Sequence, residues 1–162
     1  MRVLVTGSAG FIGFCLARRL LARGDEVIGI DNLNDYYQVS LKQDRVAALR
    51  ADGGNRFTFH QLDFSDMAAL TGALDGITID RIAHLGAQAG VRYSLENPQA
   101  YVASNLAGHV NVLELARHRA VEHMVYASSS SVYGGNTKLP FAVEDRTDHP
   151  VSLYAATIAP TN

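Results

Sequence analysis

Two positions one helical turn apart, Tyr154 and Ile158, bear most directly on the chemistry open to this chain. A tyrosine hydroxyl ionises at a pKa of about 10, so a phenolate that works near neutral pH needs a cation or strong donors beside it. Residues at i and i+4 share a helix face. A unit charge about 5 Å away contributes roughly 3 kcal/mol at an effective dielectric of 20, or about two pKa units. A lysine at position 158 would supply that charge, and the isoleucine there supplies none. Upstream, Ser128, Ser129, Ser130 and Ser131 interrupt an apolar strand pattern and bring hydroxyls to the strand's carboxyl end. On an open parallel sheet that end is where ligands bind.

A second set of residues handles phosphate and ribose. Val3, Leu4 and Val5 form an apolar run without alternation, followed at once by Gly7, Gly10 and Gly13. Such a run reads as a buried parallel strand. Glycines after it let the backbone turn tightly and approach a pyrophosphate at the positive end of the next helix. The helix is expected over residues 11–23, with Arg18, Arg19 and Arg23 towards its negative end and Gly24 as a stop. The next apolar run, 26–30, ends in Asp31, whose carboxylate can accept hydrogen bonds from an adenosine ribose and would repel a ribose phosphate. This favours NAD over NADP.

The elements that must hold these groups alternate between strand and helix patterns without internal repeats, which argues for right-handed crossovers and a parallel sheet. The fold class is α/β, a Rossmann-like parallel sheet with helices on both faces. A helix is expected over 36–50, ended by Gly53 and Gly54, then a third strand over 56–62 with Asp63 at its carboxyl end. Ser65 or Asp66 caps the following helix. A fourth strand spans 80–85, and the small residues Gly86, Ala87 and Ala89 after it would let backbone lie close to a flat cofactor. Pro98 opens a long helix in which Leu106, Val110 and Leu113 form the face expected to pack on the sheet. Asn105 on that helix is either a surface amide or a site residue. A fifth strand covers 122–127.

Composition narrows the function classes. A chain of 162 residues with 48% apolar content can bury one ordinary core, so one domain is the limit. Met1 and Arg2 lead straight into a strand and no apolar stretch reaches membrane-spanning length, so the expectation is a cytoplasmic protein with no membrane partner. Cys15 is expected as a small buried core residue. The formal net charge is -2, and Arg117, His118 and Arg119 form the largest basic cluster, which leaves no electrostatic footprint for nucleic acid. The histidines show no pair at zinc-site spacing, and no metal is expected.

The segments GSAGFIG, DNLNDYYQVSLK, HLGAQAGVRYSLENP, YASSSSVYG and SLYAAT resemble the extended short-chain dehydrogenase/reductase superfamily, and within it the UDP-glucuronate 4-epimerases. The resemblance runs from Met1 to about Thr157. It implies an NAD-dependent reaction in which the fourth sugar carbon of a UDP-sugar is oxidised, the keto sugar turns over, and the hydride returns to the opposite face. By position, Gly7, Gly10, Phe11, Ile12 and Gly13 resemble the pyrophosphate turn, Asp31 and Asn32 the ribose contacts, and Asp63 with Phe64 the adenine edge. Leu85, Gly86 and Ala87 would line the cofactor and Asn105 support it. Ser129 and Tyr154 resemble the proton-transfer pair, with Ser129 also facing substrate and Tyr154 the nicotinamide. Arg92 lies in a stretch that resembles the sugar-facing loop, where a guanidinium suits a glucuronate carboxylate; it reads equally well as a surface cation. The rival reaction, 4,6-dehydration, uses an acidic pair directly before the Val-Tyr-Gly run. Ser130 and Ser131 stand there, and serine cannot replace a carboxylic acid and carboxylate, so epimerisation is preferred.

At the carboxyl end the resemblance stops. Residues 1–157 read as an incomplete NAD-binding domain cut after the fifth strand, 158–162 as a tail unlike the family, and the substrate domain has no counterpart. Pro160 would break the tyrosine helix at its bond to Ala156. The expectation is a truncated product, arising from a frameshift, with negligible turnover. Its fifth strand would remain an edge with uncovered apolar surface, which favours self-association.

Overall fold

Five parallel strands form one sheet in the order β3-β2-β1-β4-β5. They are β1 (Arg2–Thr6), β2 (Glu26–Asp31), β3 (Phe57–Gln61), β4 (Arg81–His84) and β5 (His123–Tyr126). A computed structural model describes residues 1–158 of the chain. The expectation about Pro160 lies outside the described residues. The chain divides into two compact units, the first holding Met1–Gly86 with Gly108–Tyr126, the second Ala87–Ala107 and the chain from Ala127 onward.

The first unit contains the whole sheet. Its inner strands β1, β2 and β4 are buried on both faces, which is why β1 and β2 read as continuous apolar runs. On one face α1 (Phe11–Arg23) and α2 (Val39–Gly53) bring Ala17, Leu20, Leu21, Val46 and Leu49 against Val3, Val5, Val27 and Phe57. On the other, α3 (Met67–Ala73) and α6 (His109–His118) bring Leu70, Val112 and Leu115 against Leu4, Ile28 and Ile82. Asp66 rather than Ser65 caps α3, its Oδ1 accepting from the amides of Ala68 and Ala69. β5 is the outer strand, and Val125 there is 55% exposed.

Three local expectations are corrected. Cys15 is exposed, because Gly13, Ala17, Leu20 and Leu21 set the buried stripe of α1 and position 15 falls on its outer side. The second helix begins at Val39 rather than Tyr36, since residues 34–37 form a turn to which Lys42 of α2 is hydrogen bonded through Asn34. Leu106, Val110 and Leu113 are exposed, not packed on the sheet. The helical stretch 98–118 comprises α5 (Pro98–Tyr101), a π-helical turn (Val102–Gly108) and α6, and its buried positions are Tyr101, Asn105, Gly108, Val112 and Leu115. Those five keep alternating spacings of four and three; the asparagine and glycine among them hid the buried stripe behind a more apolar exposed one.

The second unit holds α4 (Tyr93–Glu96), α5, a short 3-10 turn (Ser130–Tyr133) and α7 (Leu153–Ile158). α7 packs on that turn, on α4 and on α5.

At the carboxyl ends of β1 and β4, Thr6 pairs in register with His84. The Thr6 hydroxyl accepts from the amides of Leu85 at 3.1 Å and Gly86 at 3.0 Å, which uses both its lone pairs. Its own proton therefore goes to His84 Nδ1, 2.7 Å away, and the ring proton sits on Nε2. Burial, with the neighbouring His109 ring, pushes the His84 pKa down to about 4 from the ordinary 6.5. Below pH 6.5 the unfolded chain takes up a proton here that the folded chain refuses, so this group's contribution is full above 6.5 and is lost as pH falls towards 4. His84→Asn keeps an acceptor for Thr6 and removes the titration. Denaturant titrations should show the parent chain losing about 2 kcal/mol more stability than His84→Asn between pH 7 and pH 5.

Candidate functional site

In the first unit the cofactor residues expected from sequence lie at the ends of β1, β2, β3 and β4. Chain order reverses beside β1, from β2 and β3 on one side to β4 and β5 on the other, the position at which open parallel sheets form a ligand crevice. Gly7 adopts φ 68°, and a Cβ on it would lie 2.9 Å from Gly86 Cα, so the turn and the β4 end touch through backbone alone. A Cβ on Gly13 would fall 2.1 Å from the Gly7 oxygen. That contact lets α1 start directly beneath the turn. Gly10 is its N-cap and brings no side-chain bond, and the first turn carries no acidic residue, so the positive end of α1 is left for an anion. Phe11 and Ile12 lie exposed beside it.

Asp31 is buried, 8% exposed, which rules out a merely solvated strand end. Its Oδ2 accepts from the Ala9 amide at 3.1 Å and its Oδ1 from the Leu33 amide at 2.9 Å, leaving one further acceptor direction on each oxygen. Asn32 donates from Nδ2 to Asp63 Oδ2 at 2.9 Å, and Ser65 donates to Asp63 Oδ1 through both amide and hydroxyl. Burial opposes the charge on Asp63, but those bonds outweigh it and hold the carboxyl below the usual range. Phe64 is buried with its ring edge-on to His84, centroids 5.2 Å apart. Leu85 and Gly86 are held by Thr6.

In the second unit Asn105 is buried, 6% exposed, and is not a surface amide. Its Oδ1 accepts from the Gln88 amide at 2.8 Å, and its Nδ2 donates to the Gln88 carbonyl at 3.0 Å and to Thr157 Oγ1 at 3.1 Å. Thr157 in turn donates to the Tyr154 carbonyl at 3.0 Å. The backbone beneath the tyrosine is thus tied to the segment after β4. Tyr154 itself lies half-buried, edge-on to Tyr101, with centroids 6.0 Å apart. The Tyr101 hydroxyl donates to the Ala89 and Gly90 carbonyls. Ser129 caps the 3-10 turn, accepting from the Ser131 amide at 3.2 Å and donating to the Ser131 hydroxyl at 3.3 Å. Ala87 and Arg92 are exposed, and Ile158 ends α7 as an aliphatic, half-buried side chain.

Sequence reasoning missed Thr6, Gln88, Tyr101 and Thr157. Only Thr6 carried a local signal, a hydroxyl wedged between an apolar run and the first glycine. Gln88 and Tyr101 act through partners more than ten residues away, and Thr157 joins its neighbour Tyr154 to the distant Asn105. Gln88 is buried with no hydrogen-bond partner for Nε2 among the described residues.

In the first unit an open helix terminus after β1 and a buried acid after β2 define a dinucleotide-type sheet; in the second a tyrosine helix is tied to a buried asparagine. A family model described as GDP-mannose 4,6 dehydratase matches residues 4–159, and the chain belongs to that family, within the NAD-dependent epimerases and dehydratases. UDP-glucuronate 4-epimerase 3 of Arabidopsis thaliana is 51% identical over 156 residues, covering 96% of this chain and 36% of the relative. Protein CapI of Staphylococcus aureus is 49% identical over 157 residues, with 97% and 46% covered. Among solved structures, a mutant UDP-glucuronic acid 4-epimerase from Bacillus cereus, in complex with NAD and UDP-4-deoxy-4-fluoro-glucuronic acid, superposes with a TM-score of 0.83 at 33% identity. It covers 98% of this chain and 49% of that one. The Thermus thermophilus UDP-glucose 4-epimerase complex with NAD gives 0.81 at 36% identity, covering 98% and 48%. The chain therefore spans about half the length of these solved structures and less than half of those relatives.

Gly13→Ala tests the glycine contact. The added methyl cannot fit against the Gly7 carbonyl, so dinucleotide binding measured by calorimetry should be lost, with thermal stability also reduced. A Gly24→Ala control, where a Cβ meets nothing within 4 Å, should cost stability through its φ of 93° while leaving binding intact.

Proposed function

We propose that this sequence is the cofactor-binding part of an NAD-dependent UDP-sugar 4-epimerase, acting on UDP-glucuronate. The observation that carries the cofactor is the buried Asp31 carboxylate beside an uncapped helix terminus: the terminus receives a pyrophosphate, and the acid receives ribose hydroxyls and disfavours a 2′-phosphate. Asp63, Phe64, Leu85, Gly86 and Ala87 would line the adenine and nicotinamide ends. Bound NAD would supply a hydride acceptor and donor. Ser129 and Tyr154 would move the sugar hydroxyl proton, with Asn105 fixing the tyrosine helix and Arg92 facing the sugar carboxylate.

The UDP-glucuronate assignment is supported by the named relatives at about half identity and by the serines at 130 and 131, which cannot do the acid-base work of 4,6-dehydration. Residues 1–157 carry the cofactor-binding residues in this reading, and position 158 holds an isoleucine where a Tyr154 phenolate would need a cation. The polypeptide of residues 1–162 binds NAD but turns over negligibly, because Ile158 offers no cation to a Tyr154 phenolate and the sugar-nucleotide portion of the relatives has no counterpart within these residues.

Purified residues 1–162 should bind NAD saturably, bind NADP at least about tenfold more weakly, and convert no UDP-glucuronate to UDP-galacturonate. Ile158→Lys should leave turnover undetectable, since a cation alone does not restore the sugar site. Measurable epimerisation by the unmodified chain would refute the inactive reading, and absence of NAD binding would refute the cofactor assignment.

A further inference from the structure

The motif running from Asp31 to Lys42 contains more than a ribose-binding acid. Lys42 takes the first place in the buried stripe of α2, ahead of Val46, Leu49 and Gly53, and is only 4% exposed. Burying an ammonium is costly unless it is paired or hydrogen bonded. Here Nζ donates to the Asn34 carbonyl and to Asn34 Oδ1, both at 2.7 Å, and lies 4.4 Å from the Tyr37 ring centroid. Burial lowers the Lys42 pKa; Asp31 and Asp35 counter that effect, and the Arg45 charge adds to it.

The residue gripped by this ammonium, Asn34, lies in the loop that directly follows the residues proposed to face a ribose, Asp31 and Asn32. Leu33 is a bulky residue at φ 53°, a conformation that persists only where surroundings impose it. Its amide reaches Asp31 Oδ1, and the Asn34 amide reaches Asn32 Oδ1 at 3.0 Å. From the far side Arg45 donates to the Tyr37 hydroxyl at 3.2 Å and to the Ala9 carbonyl at 3.1 Å, while the Ala9 amide donates to Asp31. The 31–37 segment is therefore tied to α2 by two cations and to the glycine turn through Ala9, closing a ring of bonds around Asp31.

We propose that Lys42 is a positioning residue of the cofactor site, its ammonium locking the 32–37 loop so that Asp31 and Asn32 face the adenosine ribose of a dinucleotide. This rests on the NAD-binding reading above and adds Lys42 and Asn34 to the residues it needs. Lys42 touches no cofactor atom in this scheme; it acts through Asn34. Tyr37 and Arg45 complete the frame.

Lys42→Met keeps the aliphatic stem and removes the charge. Asn34 is exposed, so water can take over the two oxygens that lose their donor, and the variant should fold and melt within a few degrees of the parent chain. Its affinity for NAD, and equally for ADP-ribose, which carries the adenosine half without nicotinamide, should fall about tenfold. Asn34→Ala should produce the same loss, and the double variant no further loss, because both act on one bond pair. A parent chain that binds NAD while Lys42→Met binds it equally well would overturn the role of Lys42 and leave the cofactor reading standing. Additive losses in the double variant would overturn the coupling through Asn34. A parent chain that binds neither NAD nor ADP-ribose would overturn both this role and the reading beneath it.

Discussion

The first unit is organised around one contact, the Gly7 carbonyl lying where any side chain on Gly13 would begin. Because α1 starts that close to the end of β1, its free amides face the crevice instead of the core. The same turn brings Gly7 against Gly86, so the end of β4 closes on β1 with no side chain between them. Thr6 completes the arrangement by satisfying two amides of the Leu85 and Gly86 segment, which would otherwise be left in the interior without partners. Inserting a side chain at either glycine contact would push the turn away from both α1 and β4.

Around this contact the polar groups are buried because their hydrogen bonds are complete or nearly so. Asp31 takes two backbone amides, Asp63 takes Ser65 and Asn32, and Lys42 takes both oxygens of Asn34. Asp31 and Lys42 are charges removed from water, Asp63 is partly so, and each is held by oriented dipoles, an environment that keeps geometry fixed at some expense of stability. Their positions follow the strand ends in sequence order, Asp31 after β2 and Asp63 after β3. A crevice lined this way favours a ligand with hydroxyls to donate over one with further negative charge.

How much of this was legible in the sequence depended on whether a signal was local. The glycine spacing, the acid ending β2 and the proline opening α5 each state their structure within a few residues, and the fold class followed from them. Periodicity succeeded for α1 and failed for 98–118, where the buried stripe contains Asn105 and Gly108 while the exposed stripe carries Leu106, Val110 and Leu113. An asparagine can be buried there only because Gln88 and Thr157 satisfy its amide, and neither partner is visible from helical spacing. Cys15 shows the converse error: residue type suggested burial, and the position on α1 decided otherwise. The late start of α2 has the same origin, since Lys42 reaches back to Asn34 and holds as a turn residues that look helical.

The second unit holds Tyr154 through its backbone and its ring. Thr157, Asn105 and Gln88 form an unbroken chain of hydrogen bonds under Tyr154, and Tyr101 sets its ring from the side. Every contact in that arrangement acts on the backbone or the ring. A working phenolate would need a cation on the same face one turn later, and at that place α7 presents Ile158. An aliphatic group there is compatible with all the packing of α7, which is why the tyrosine helix forms without it. Placement of the tyrosine is therefore encoded in the network that precedes position 158.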